Sequence, residues 1–113
     1  MIASNEDVTG INTCTITDMS GLFNNNTTFN QDIGNWNTSN VTNIKSIFNR
    51  AGPFNQDIAS WDTSNVKYMS FMFHAATNFN QDISQWDITS VEKSTSFHLN
   101  SGLDEAHLPS FNH

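Results

Sequence analysis

The sequence has few cations, a single cysteine and no long apolar segment, and each of these shortages excludes a class of protein. Four Lys and Arg stand against eleven Asp and Glu in 113 residues, which is the wrong balance for binding the phosphate backbone of nucleic acids. The only cysteine is Cys14, so no internal disulfide is possible. Residues 1–3 lead directly into repeat-like sequence without the segments of a signal peptide, and no stretch predicts a membrane span.

A motif that recurs every 25 residues dominates what is present. It reads Phe-Asn-Gln-Asp-Ile followed by Trp, and it begins at Phe29, Phe54 and Phe79. Such periods are typical of proteins built from stacked repeats. We predict a single domain over residues 1–113, made of units at 4–28, 29–53, 54–78 and 79–103 and a partial fifth unit at 104–113.

The outer units differ from the inner ones. Ser4 and Asp104 stand where the inner units have Phe, and Ile11 and Phe111 stand where they have Trp. Atypical, more polar end units are what a repeat protein needs to cover its open ends. The pattern therefore predicts a complete short array.

The second half of each unit has the apolar spacing of a helix. In the second unit the apolar residues fall at spacings of three, six and seven, at Val41, Ile44, Ile47 and Phe48. Ser39-Asn40 precedes them and is suited to cap a helix N-terminus. The Asn-Gln-Asp-Ile segment of the first half is short and predicts an extended strand. The expected fold is an α/β solenoid with one short parallel strand and one short helix per unit.

Residues 54–73 resemble the BspA-like leucine-rich-repeat surface proteins, in the bacterial group with a 25-residue Phe-Asn-Gln-Asp-Ile-x-x-Trp repeat. The matching residues are Phe54-Asn55-Gln56-Asp57-Ile58, Trp61-Asp62-Thr63-Ser64-Asn65-Val66, Met69, Met72 and Phe73. The resemblance implies a leucine-rich-repeat-like solenoid, a cell-surface or secreted location, and adhesion or other protein recognition. It implies no catalytic residues.

Two polar columns repeat with the motif. The Asp column invites a cation-binding hypothesis, because Ca²⁺ prefers oxygen ligands, but we favour the interpretation that each Asp accepts local backbone N–H groups. The Asn column is interpreted as a ladder of hydrogen bonds between units. The columns are Asp7, Asp32, Asp57 and Asp82, and Asn5, Asn30, Asn55 and Asn80.

The Trp column, Trp36, Trp61 and Trp86, could line a sugar-binding face, but its regular spacing with Phe and Ile favours core packing. Each buried indole N–H would then need a partner. No two of His74, His98, His107 and His113 share a recognised zinc-ligand spacing, so no metal or cofactor is predicted. We expect His98 to replace the core Phe of the preceding units.

One departure from the repeat suggests a binding surface. Where the second unit has Asn43 and Ser46, the third has Tyr68 and Phe71, flanked by Lys67 and His74. Adjacent exposed aromatic residues are typical of contact patches. These four residues of the third unit are the candidate binding site.

With no catalytic constellation in the chain, the predicted function is a non-enzymatic module for protein recognition or adhesion, with a protein as its partner. One alternative is a structural subunit packed into a larger assembly. Another is a surface repeat that binds carbohydrate or a cation through the Trp and Asp columns.

Overall fold

The computed structural model describes residues 6–111, and regular secondary structure is almost absent from them. The helical residues in this range form one 3-10 helix, Glu105–His107, and no sheet is present. Pairing between extended segments is limited to isolated parallel bridges: Asp18 with Asn43, Asn43 with Tyr68, and Tyr68 with Lys93. The predicted α/β solenoid, with a strand and a helix in every unit, is therefore wrong.

Residues in the left-handed conformation explain why the helical spacing does not produce helices. Ile47 N–H donates to Ile44 O at 3.2 Å and closes one turn, but φ is 58° at Ser46 and 60° at Arg50. A right-handed helix cannot continue through such residues. Positive φ values recur at Gly21, Asn25, Phe71, Ala75, Ser96 and Asn100. Successive tight turns, rather than a helix, bring the apolar residues to one side, and residues such as Ser39 cap no helix.

The Asn-Gln-Asp-Ile segments, predicted as strands, are irregular. Side chains supply the acceptors that a neighbouring strand would have supplied. The Asn55 backbone N–H donates to Asn30 Oδ1 at 2.9 Å, and the Asn80 N–H donates to Asn55 Oδ1 at 2.9 Å. The predicted ladder between units is confirmed for these three Asn residues, whereas Asn5 lies outside the described residues.

Main-chain hydrogen bonds join consecutive units through what we call the turn segments, residues 18–25, 43–50, 68–75 and 93–100. Backbone N–H groups of alternate residues in one segment donate to carbonyl groups of the next. From the first segment to the second the bonds are Met19 to Asn43, Gly21 to Lys45, Phe23 to Ile47 and Asn25 to Asn49, at 2.8 to 2.9 Å. The same pattern joins the second segment to the third and the third to the fourth. The units therefore lie one on another, held by turns instead of a sheet.

Columns of parallel aromatic rings form the core. Phe29, Phe54 and Phe79 stack with ring centroids 5.6 and 5.8 Å apart. A second column is formed by Phe23, Phe48 and Phe73, at 5.7 and 5.6 Å. All six rings are at most 1% exposed. Burying a Phe side chain stabilises a fold by about 1.5 to 3 kcal/mol, so these columns carry much of the stability.

The three Trp residues form a further column, as predicted for core residues. Their exposed fractions are 4% to 6%, and consecutive ring centroids lie 6.3 and 6.5 Å apart. Each indole N–H donates to a backbone carbonyl of the preceding unit. The pairs are Trp36 with Val8 at 3.0 Å, Trp61 with Ile33 at 2.9 Å, and Trp86 with Ile58 at 3.2 Å. The predicted need for indole partners is confirmed.

Residues 101–111 pack against the fourth unit. Ile83 N–H donates to His107 O at 3.0 Å, and Leu103 and Pro109 are buried. Phe97, not His98, supplies the aromatic ring that packs on Phe73, at 5.3 Å between centroids. The prediction that His98 replaces the core Phe is wrong, because His98 remains half-exposed.

Within residues 6–111, no helix has the length and apolar character needed to cross a membrane.

Candidate functional site

The candidate residues of the third unit lie on and beside one turn segment. Tyr68 is half-buried and its backbone is bridged to Asn43 on one side and Lys93 on the other. Phe71 is half-exposed, and its ring meets the His74 ring edge-on at 5.7 Å. Lys67 is exposed, immediately before the segment. The structure thus places all four predicted residues in one short stretch and brings Phe71 and His74 into contact.

His74 is fixed from the adjacent unit. Its Nδ1 lies 2.8 Å from Asn49 Oδ1, and Asn49 Nδ2 donates in turn to Asn24 Oδ1 at 2.9 Å. This chain of polar contacts holds the imidazole beside the Phe71 ring. Sequence reasoning missed Asn49; the available signal was that Asn24, Asn49 and His74 occupy the same position in three successive units.

Phe71 has a backbone conformation that is unfavourable for its side chain. Its φ is 58°, and the equivalent residues of the other units, which share this conformation, are Gly21, Ser46 and Ser96. A bulky residue at positive φ is a conformational outlier. The backbone at this position therefore has no need of an aromatic residue and is strained by one.

Cations are concentrated around the same turn segments. All four Lys and Arg of the chain lie in or next to the second, third and fourth segments, at Lys45, Arg50, Lys67 and Lys93, and all four are exposed. The Arg50 N–H donates to His74 O at 2.8 Å, and Lys93 is bridged to Tyr68. Every Lys and Arg of this acidic chain thus lies in or beside the turn segments of the second to fourth units.

The Asp column of the repeated motif is engaged in local turns. Each of its carboxylates accepts the backbone N–H two residues later: Asp7 from Thr9 at 3.0 Å, Asp32 from Gly34 at 3.1 Å, Asp57 from Ala59 at 2.9 Å, and Asp82 from Ser84 at 3.0 Å. The favoured interpretation, local hydrogen bonding, is confirmed. The Ser84 hydroxyl and then its N–H hold the pKa of Asp82 below its ordinary value.

A second set of such turns lies after each Trp position. Asn37, Asp62 and Asp87 accept the backbone N–H of Ser39, Ser64 and Thr89, each at 3.0 Å. The pKa of Asp62 is lowered by the Ser64 hydroxyl and then by the Ser64 N–H. For Asp87 the Thr89 backbone N–H is the larger cause of a lowered pKa and the Thr89 hydroxyl the smaller. These carboxylates serve turns.

The other candidate chemistries find little support in the geometry. The buried Trp column offers no platform for a sugar. No three of the His, Cys, Asp or Glu residues between 6 and 111 are grouped to hold a metal, and His113 lies outside this range. Cys14 is half-buried, with its carbonyl accepting from Asn40 Nδ2 at 2.7 Å.

A cavity that the sequence did not suggest lies against the fourth turn segment. Its volume is about 540 Å³, and it is lined by residues of the stretch 94–101 and by Phe111. Phe111 also packs against Phe97, with ring centroids 5.0 Å apart.

Comparison with known proteins identifies a family. Residues 1–108 match the family described as "Mycoplasma protein of unknown function, DUF285". The match spans nearly the whole sequence, and the chain belongs to this family. No curated protein and no solved structure matches the chain. The resemblance to BspA-like leucine-rich-repeat proteins is therefore wrong: the repeated motif builds aromatic columns and turns, without strands or helices. The surface or secreted location stays a prediction.

Proposed function

We propose that this member of the family is a non-enzymatic module for protein recognition or adhesion, with Phe71 and Tyr68 at the centre of its binding surface. The observation that carries the proposal is an aromatic ring at a left-handed position, with φ of 58° at Phe71, that Gly or Ser occupies in the other units. Holding an L-residue in this conformation costs about 1 to 2 kcal/mol. Strained residues are concentrated at functional sites, and here Gly or Ser meets the needs of the backbone in the other units.

The surroundings of Phe71 suit a binding anchor. Its ring is held edge-on against His74, which is itself fixed by Asn49. A ring that is already ordered loses little conformational freedom when a partner covers it. Tyr68 adds a second half-buried aromatic residue three positions earlier, with a hydroxyl group able to donate or accept a hydrogen bond.

The charge pattern favours an acidic partner surface. The chain has a net charge of −7, so an acidic partner would be repelled by most of its surface. The cations around the turn segments offer a local exception. Complementary charge at the edge of an interface chiefly raises the association rate and makes it sensitive to salt. We therefore expect binding to weaken as ionic strength rises.

A partner screen with matched variants tests the proposal. Three proteins are immobilised: wild type, Phe71→Gly and the double variant Tyr68→Asn/Phe71→Gly. Each is exposed to protein extracts of the cells in which the protein naturally occurs. Ser46→Gly is the control, because it makes the same backbone change without removing a ring. Bound proteins are quantified by mass spectrometry. We expect at least one protein that wild type and Ser46→Gly retain and that Phe71→Gly loses about 30-fold or more, as for a hot-spot residue worth about 2 kcal/mol.

The stability of the same variants separates binding from architecture. Phe71→Gly should be more stable than wild type by about 1 kcal/mol, because it relieves the strain. A variant that is stabilised and no longer binds supports the proposal. Unchanged binding by the double variant contradicts it. If the isolated chain aggregates in size-exclusion chromatography and binds nothing selectively, the alternative of a structural subunit is favoured.

A further inference from the structure

The end of the fourth unit presents a row of backbone donors, which we call the donor edge: the N–H groups of Ser96, His98 and Asn100. In the second unit the equivalent groups donate to the third unit: Ser46 to Ser70 O, Phe48 to Met72 O and Arg50 to His74 O, at 2.8 to 3.0 Å. At the donor edge these three groups have no partner among residues 6–111.

The donor edge is held in the conformation that the inner units use for binding. The φ values of Ser96 and Asn100 are 53° and 62°, close to those of Ser46 and Arg50. Turn bonds fix the segment, from Phe97 N–H to Ser94 O at 3.2 Å and from Ser101 N–H to His98 O at 3.0 Å. The donors are thus ordered before any ligand arrives, which lowers the entropic cost of binding.

The cavity of about 540 Å³ lies at this edge and offers both polar and apolar contacts. Its apolar lining residues are Phe97, which is buried, Leu99, which is 52% exposed, and Phe111. A ligand would therefore need hydrogen-bond acceptors at regular intervals and at least one apolar group. Unpaired backbone donors next to apolar surface are the features used when proteins bind an added polypeptide segment.

Charge argues against a simple anion as the occupant. None of the residues that line the cavity is Lys or Arg, and the chain has a net charge of −7. A phosphate or carboxylate would be attracted by three N–H groups but repelled by the protein as a whole. A neutral carbonyl group accepts the same hydrogen bonds without that repulsion.

A second copy of the chain is obstructed in the matching register. Its first turn segment does present free acceptors, because the carbonyl groups of Asp18, Ser20, Leu22 and Asn24 receive no hydrogen bond from residues 6–111. However, Asp104 N–H donates to Asn80 Oδ1 at 2.9 Å, in the same way that Asn55 N–H donates to Asn30 Oδ1 between two inner units. Residues 104–111 therefore occupy the place that residues 6–11 of the copy would need.

We propose that the donor edge is a second binding site, which takes a short polypeptide segment from a partner protein. Carbonyl groups of alternate residues in that segment accept from Ser96, His98 and Asn100, and an apolar side chain enters the cavity beside Phe97 and Phe111. The segment binds as each turn segment binds the one before it. This site is on a different turn segment from Phe71 and does not depend on it.

The probe is a blocked synthetic peptide with the sequence of residues 42–51, Thr-Asn-Ile-Lys-Ser-Ile-Phe-Asn-Arg-Ala, which meets the first unit in this way. It is titrated into the full ¹⁵N-labelled chain. We expect saturable downfield shifts of the Ser96, His98 and Asn100 amide protons, together with slower hydrogen exchange at the same three positions.

Two ester-containing peptides provide a matched control. An ester in place of the peptide bond between residues 45 and 46 makes the Lys45 carbonyl a weaker acceptor, and this carbonyl should accept from the donor edge. An ester between residues 44 and 45 weakens the Ile44 carbonyl, which should not accept from the donor edge. Because a hydrogen bond contributes about 0.5 to 1.5 kcal/mol, the first peptide should bind about 2- to 12-fold more weakly than the second. Equal affinities, or shifts spread away from these amides, contradict the proposal.

Other occupants give different outcomes. Shifts of the same amides with inorganic phosphate at the concentration that the peptide requires would replace the proposal by an anion site. Shifts that grow with protein concentration in the absence of peptide, with an increase in sedimentation coefficient, would replace it by self-association. An absence of shifts with any probe overturns it.

Discussion

The second and third turn segments, residues 43–50 and 68–75, have nearly the same backbone and different surfaces. Ser46 and Phe71 share a φ of 58°, and both N–H groups donate to the following segment at 2.9 Å. Their inward residues are equally buried. The architecture therefore fixes the backbone and the inward side chains and leaves the outward positions free. The aromatic ring of Phe71 is therefore not required by the architecture, and matched variants of the two segments can show what it contributes.

Loss of a core Phe ring should cause the largest loss of stability, and the loss should be equal at equivalent positions of two units. Phe48→Ala and Phe73→Ala each remove a ring that is 0% exposed and stacked in the same column. Each should lower the free energy of unfolding by about 3 to 5 kcal/mol, as large-to-small core substitutions of Phe do. Urea denaturation measures both. A difference well above 1 kcal/mol between the two would show that the end units, not the repeat, determine the packing.

Much of this core could be predicted from the sequence, because the repeat itself carries the information. The 25-residue register, the buried Trp column and the Asn ladder all follow from which residue types recur at which positions. Identical rings one unit apart must meet if the units lie on each other. The aromatic and polar columns therefore needed no knowledge of the backbone.

The local backbone could not be predicted in the same way. A spacing of three and four is produced equally by a helix and by successive tight turns, and the residues that decide between them are Ser46, Arg50 and Ala75, whose positive φ values are unusual for their types. The candidate residues Tyr68 and Phe71 were visible as departures from the repeat. The donor edge was not, since it consists of backbone groups.

Loss of a single indole hydrogen bond should have a smaller effect than loss of a ring. In Trp61→Phe the Ile33 carbonyl loses its 2.9 Å donor in a buried site, and Trp36→Phe does the same to Val8. Each carbonyl keeps a backbone donor, Trp36 N–H for Ile33 and Ile11 N–H for Val8, so each variant loses one hydrogen bond without orphaning the acceptor. Both variants should therefore lose about 0.5 to 1.5 kcal/mol of stability. Thermal denaturation followed by circular dichroism compares them. Stability unchanged in either variant would indicate that water replaces the indole donor.

Transfer of the aromatic residue between the two segments should have a still smaller effect. Ser46→Phe adds a bulky side chain at a φ of 58°, where the Cβ of Ser46 already carries most of the strain, so it should cost less than about 1 kcal/mol of stability. Phe71→Ser should gain a similar amount. If Ser46→Phe is instead neutral or stabilising, packing of the ring on the surface outweighs the strain, and the conformation of Phe71 no longer indicates a function.

The smallest effect concerns pH and the turn after each Trp, where the second unit has Asn37 and the third has Asp62. Both side chains accept from a Ser two residues later, but only Asp62 titrates. The lowered pKa of Asp62 means that its carboxylate stabilises the folded state above the unfolded value near 3.8, and that this contribution is lost as pH falls through the lower folded value. Asp62→Asn should therefore change stability at pH 7 by less than about 0.5 kcal/mol.

Urea denaturation from pH 7 to pH 2 gives the free energy of unfolding of wild type and of Asp62→Asn. The difference between the two isolates the contribution of Asp62 from those of the other carboxylates with a lowered pKa. Wild type should lose its advantage only below about pH 4, since the unfolded chain then takes up the proton more readily than the folded one. Asn37→Asp should introduce the same dependence into the second unit. A flat difference would mean that Ser64 binds carboxylate and carboxylic acid equally well, and that at this position Asn and Asp are equivalent at every pH.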